Sequence, residues 1–125
     1  MQFKISTKEK FTVITPVEPE LSAILAVDFR QSLLAFLNQE VKNVVLNLGE
    51  VHTVHREVAE LLAKVQQEFY DQDASFVICC LPEAVETQFD EWGLLELMNT
   101  TPTESEAWDI VQMEEIERDF LSGDE

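Results

Sequence analysis

The order of hydrophobic patterns along the chain predicts one α/β domain, a mixed and mainly parallel sheet of four or five strands with about four helices packed on it. Three observations carry this prediction. The sequence opens with two short runs of alternating polarity, two later runs are apolar throughout, and between and after them apolar positions recur every three or four residues. A length of 125 residues suits a single core, and three glycines with four prolines rule out a loop-rich scaffold.

Taken in order, QFKIST and FTVITP flank a polar KEK and read as a β-hairpin, in which Phe3 and Ile5, then Phe11 with Val13 or Ile14, give the period-two pattern of a half-buried sheet. Pro16 and Pro19 end the second strand. In EPELSAILAVDFRQSLLAFLNQE, Leu25, Phe29, Leu33, Phe36 and Leu37 mark a helix buried on one face, starting near Ser22. NVVLNL, Asn43 to Leu48, is short, apolar and β-branched, which predicts a central strand. The next helix starts around Arg56, buries Val58, Leu61, Leu62, Val65 and Phe69, and turns Glu60, Lys64, Gln67 and Glu68 outward until YDQDA closes it.

SFVICCL reads as a second buried strand. Pro82 stops it and opens the helix PEAVETQFDEWG, where proline at the first position costs no hydrogen bond and Gly93 suits the C-terminus. LLELMNTTP holds a weak last strand. Thr103 and Glu106 then form a capping box before Ala107, Trp108, Ile110, Val111, Met113 and Ile116, a helix expected to run to about Phe120. The domain is expected to span residues 1–121, with an acidic, frayed end at 122–125. Trp92 and Trp108 sit among apolar neighbours at helical spacing and are expected to pack rather than to stack on a ligand.

The formal charge of −17 is unevenly spread. Residues 1–64 carry seven Lys/Arg against eight acids, a net of −1, whereas residues 65–125 carry seventeen acids against Arg118 alone, a net of −16. Such a polyanion repels phosphate backbones and anionic lipid, so no nucleic acid and no membrane insertion is expected. The acid serves solubility first, with a basic protein partner as the sharper alternative. Glu114, Glu115, Glu117 and Asp119 lack the Gly and Asn spacing of a calcium loop and read as a solvated face. Cys79 and Cys80, the only cysteines, read as core thiols of a reducing compartment; with no signal peptide or long apolar run, a cytoplasmic location is expected.

No Gly-rich phosphate loop, nucleophile elbow or cofactor motif is present, so neither an enzymatic activity nor a cofactor is expected. Chemistry-bearing residues gather instead at VHTVHREVAE, Val51 to Glu60, where a strand gives way to a helix. His52 and His55, with Glu57 or Glu50, form a weak candidate site for sensing a metal or small ligand, weak because residues three apart converge only on a helical turn.

VVLNLGEVHTV resembles the strand and turn "VVLDLSGVTFI" of the STAS domain, the fold of bacterial anti-sigma factor antagonists. FVICCLPEAVETQFDEWGLLELM is similar to the next strand, helix start and "GL" turn of that family, and TPTESEAWDIV to its closing "T-x-x-E-A" helix start. The likeness covers residues 1 to about 116. It implies a domain that acts by binding. In the family the strand is followed by Asp-Ser-Ser-Gly, whose second serine is phosphorylated by an anti-sigma factor that is also a kinase, ending the interaction. The ungapped register from Leu46 puts His55 at the aspartate, Arg56 and Glu57 at the two serines, and Val58 at the glycine, so the motif is lost. Thr53 is the nearest preceding hydroxyl but lies two places before the motif.

Glu57 falls in the first turn of a helix, where a carboxylate is favoured by about 0.3 to 1 kcal/mol, and it fixes one negative charge where a phosphoserine would carry nearly two. It is either a permanent imitation of the phosphorylated state or a routine first-turn residue. The resemblance implies a partner surface made of His55, Arg56, Glu57 and Val58, the helix start with Glu60, and the loop around Leu21, Ser22 and Ala23. The partner class it implies is an anti-sigma factor kinase; a second is a subunit of a lipid-transport ABC complex, on which STAS-like accessory domains dock.

Overall fold

The computed structural model describes residues 1–122. In chain order its elements are β1 (Phe3–Thr7), β2 (Thr12–Pro16), β3 (Glu20–Leu21), α1 (Ala26–Leu34), β4 (Val44–Asn47), β5 (Thr53–Val54), α2 (Arg56–Asp71), β6 (Phe76–Cys79), α3 (Glu83–Glu91), β7 (Thr100–Thr101) and α4 (Glu104–Ser122). The main sheet has the order β1-β2-β4-β6-β7. Its first pair is antiparallel, with Ile5 opposite Ile14, and the other three are parallel. The fold is the α/β arrangement expected from the sequence. The tail expected at 122–125 lies outside the described residues from 123 on, and the backbone of Ser122 still belongs to α4.

The uninterrupted apolar runs of β4 and β6 have a simple cause: both faces are covered. Val44, Leu46, Phe76 and Ile78 turn to one side, where α1 brings Phe29 and Leu33, α2 brings Val58, Leu62, Val65 and Phe69, and α3 brings Val85 and Phe89. Val45, Val77 and Cys79 turn to the other side, where with Phe11 and Val13 they meet only α4, through Ala107 and Val111. Three helices therefore cover the front of the sheet, and one covers the back.

Four local expectations are corrected. The helix expected from Ser22 begins as a 3-10 turn at Ala23–Leu25 and becomes α-helical at Ala26. Pro82 caps α3 from the position before its first residue, with its carbonyl accepting from the Glu86 amide at 2.9 Å. Cys80 leaves the strand with φ +62°, so its thiol stays on the back of the sheet beside Cys79 and is partly exposed. In α4, Met113 and Ile116 point to solvent, and Trp108 is 42% exposed while resting against Phe11.

Candidate functional site

After β4 the chain makes a tight descent. The Asn47 side-chain oxygen accepts the Gly49 amide at 2.8 Å, and a side chain at Gly49 would press on that oxygen at 3.0 Å. Val51 then drops into the core. The chain next runs beside β3, which pairs with β5 in parallel, Glu20 opposite Thr53 and Leu21 opposite Val54. The His52 and Thr53 amides donate to the Pro19 carbonyl at 2.7 and 3.1 Å, and the His55 amide donates to that of Leu21 at 2.9 Å. Leu21 and Val54 are buried beneath the pairing. Two distant pieces of sequence, the loop before α1 and the start of α2, are thus tied into one surface.

His55 is the N-cap of α2, and its carbonyl accepts from the Val58 and Ala59 amides at 2.9 and 3.1 Å. Its side chain makes no capping bond, so the first-turn amides and the positive end of the helix dipole face outward beside Glu57. The imidazole instead meets Glu20 across the small sheet, Nε2 to Oε2 at 3.0 Å. Arg56 lies 3.4 Å from Glu60 one turn along. These charges are exposed, and such pairs contribute roughly 0 to 1 kcal/mol each. They order the surface more than they stabilise it.

Of the residues named from the sequence, His55, Arg56, Glu57 and Glu60 stand exposed together, with Ser22 and Ala23 half-buried next to them. Leu21 and Val58 do not reach the surface: both side chains are fully buried and support it from below. His52 is exposed, and among the described residues no group of three His, Cys, Asp or Glu side chains is placed to hold a metal ion. Sequence reasoning missed the apolar part. Ile24 is 89% exposed and Val27 68%, on the turn and helix that pack beside α2. Their signal was available, since neither fits the spacing of Leu25, Phe29 and Leu33 and both are apolar without a place in the core. Glu20, the partner of His55, was also missed because β3 is only two residues long.

Among the described residues no helix is long and apolar enough to cross a membrane. No curated protein matches the sequence. The fold is shared with a candidate anti-sigma factor antagonist from Thermotoga maritima, with TM-score 0.79 and 20% identity over 88% of this chain and 94% of that one. It is shared with a serine-to-glutamate variant of RsbS from Moorella thermoacetica, with TM-score 0.70 and 18% identity over 90% and 96%. A murine anion transporter, Solute Carrier 26 family member A9, contains a similar unit, with TM-score 0.68 and 16% identity over 82% of this chain and 18% of the transporter. The family model of the STAS domain matches residues 2–107, and the chain belongs to the STAS domain family.

Proposed function

We propose that this STAS domain acts by binding another protein, without chemistry of its own, and that it resembles an anti-sigma factor antagonist whose phosphorylation switch is replaced by a fixed charge. The observation that carries this reading is the β3–β5 pairing, which sets exposed Ile24 and Val27 beside the charged rim of Glu20, His55, Arg56, Glu57 and Glu60. Apolar anchors inside a charged rim are the composition of a protein interface. Residues 55–58 hold no hydroxyl, so a serine or threonine kinase has no acceptor there. In this reading Glu57 stands at the position of the family's phosphoserine. A solved neighbour that is itself a serine-to-glutamate variant lends the idea a physical parallel.

A second reading is favoured by the match inside an anion transporter, where the STAS unit is part of a membrane protein. On that reading the same surface docks on a transport complex. The test is affinity capture from the source cells with the natural chain, Ile24→Asp and Glu57→Ser, and identification of what is bound by mass spectrometry. Ile24→Asp is expected to lose the partner. Better capture of an anti-sigma ATPase by Glu57→Ser identifies Glu57 as a fixed off-signal, and equal capture of a transporter subunit by both identifies a docking subunit. An unchanged set of partners with Ile24→Asp refutes the surface itself, and stoichiometric phosphate on residues 52–60 refutes the loss of the switch.

A further inference from the structure

The inward face of α4 is apolar for only two turns. Ala107 and Val111 pack on the sheet, and Glu114 and Arg118 follow where further apolar residues would be due. Both are engaged: Glu114 accepts from the Tyr70 and Ser75 hydroxyls at 2.7 and 2.6 Å, and Arg118 donates to Asn43 and Ser75 at 3.3 and 3.1 Å. These contacts fix the rotation of the helix. They also force its larger apolar residues outward.

Met113, Ile116 and Phe120 have the i, i+3, i+7 spacing of one helix face and are 60, 67 and 76% exposed. Asp109, Glu117 and Asp119 surround them, all exposed. Between α4 and the β1–β2 hairpin runs a separate groove lined by Lys8, Glu9, Lys10, Phe11, Trp108 and Gln112. An apolar stripe at this spacing is the surface that receives an amphipathic helix. The charge of the rim decides which kind.

We propose that the outward face of α4 docks a cationic amphipathic segment of another protein, with Met113, Ile116 and Phe120 as anchors and Asp109, Glu117 and Asp119 facing its lysines or arginines. A second copy of this chain would bring two acid-rimmed stripes together on molecules of charge −17 each, and an anionic membrane meets the same repulsion. The surface lies across the sheet from the junction, so it is a second contact independent of the first.

The test uses the full chain labelled with nitrogen-15 and a synthetic helical leucine–lysine peptide with an i, i+3, i+4, i+7 apolar face; a lysine–serine peptide of equal charge is the control. Amide shifts are expected to centre on residues 108–121. The Ile116→Asn, Phe120→Asn double variant is expected to bind on the order of tenfold or more weakly than the natural chain. The control peptide should bind both equally weakly, and Ile24→Asp should leave the affinity unchanged. If the double variant does not fold, Asp109→Lys with Asp119→Lys, confined to the exposed rim, must weaken binding instead. Equal binding of the two peptides, shifts centred elsewhere, loss of binding in Ile24→Asp, or a dimer in sedimentation that the double variant abolishes would each overturn the proposal.

Discussion

Glu114→Ala tests whether polar contacts really set the rotation of α4. The carboxylate accepts from the Tyr70 hydroxyl at 2.7 Å and the Ser75 hydroxyl at 2.6 Å, while Asn99 donates to the Tyr70 oxygen from behind. Ser75 is fully buried and Tyr70 partly so. Hydrogen bonds to a charged group contribute about 1.5 to 3 kcal/mol each, and the half-exposed position of Glu114 argues for the lower end, so losing two costs about 3 kcal/mol. Against a total stability of roughly 5 to 15 kcal/mol, that is a large fraction. Urea unfolding followed by circular dichroism should show the loss as a lowered midpoint at unchanged slope. Tyr70→Phe should cost about 1.5 kcal/mol, and the double variant less than the sum of the singles, because the two changes remove one shared contact. A Glu114→Ala chain within about 0.5 kcal/mol of the natural one would refute the reasoning, since surface substitutions alone stay in that range.

Tyr70 also makes the alkaline limb of stability predictable. Burial first, then its hydrogen bond to Glu114 and the charge of that carboxylate, hold its pKa well above the ordinary 10.0. Above that pH the unfolded phenol ionises while the folded one stays protonated; the contribution is therefore complete below pH 10 and lost as pH rises further, and Tyr70→Phe should flatten that fall in unfolding curves taken across the range. Helices α2 and α3 end in the same motif, with Ala74 donating to Phe69 and Leu94 to Phe89, and with Asp73 at φ +60° and Gly93 at φ +71°. A side chain at Gly93 would touch nothing within 4 Å, so Gly93→Ala should cost about 1 kcal/mol of backbone strain, whereas Asp73→Gly should gain up to about 1 kcal/mol, both read by thermal unfolding. The Cys79 thiol is buried and its pKa is driven up by desolvation and by Cys80 beside it, so brief alkylation of the native chain should label Cys80 first; equal labelling would contradict the packing.

The fold was legible where one local pattern decides it. The apolar runs that became β4 and β6 have no polar face, and the spacing of Val58, Leu62, Val65 and Phe69 leaves α2 one orientation. The junction was legible because its polar residues contrast with the strand before it. Two things were not legible. β3 and β5 are two residues each, too short for any period, and they are held by hydrogen bonds to Pro19 and Leu21 some thirty positions away. The rotation of α4 was misjudged because hydrophobicity alone turns Met113 and Ile116 inward. Tyr70, Ser75 and Asn99 come from three other places in the chain and supply the donors that make Glu114 the inward residue instead.

The two proposed surfaces should therefore respond differently to salt. At the junction His55 is set against Glu20 and Arg56 against Glu60, so cations and anions largely answer one another before any partner arrives. On α4, among the described residues, Asp109, Glu117 and Asp119 take part in no ion pair, whereas Arg118 is turned inward to Asn43 and Ser75. A partner of the junction gains mainly from covering Ile24 and Val27, an apolar term that salt leaves nearly intact. A partner of α4 gains from both Ile116 and the uncompensated rim, and exposed charges lose most of their mutual attraction beyond a screening length of about 8 Å at physiological ionic strength. Between the faces stand Val45 and Val77, fully buried in β4 and β6, with no polar chain running through the sheet at their positions. The hydrogen bonds that join α4 to the junction side, Tyr70 to Glu114 and Asn47 to Glu104, involve none of Met113, Ile116 and Phe120, so the two binding free energies should add. Raising the salt should release the α4 partner while the junction partner stays bound.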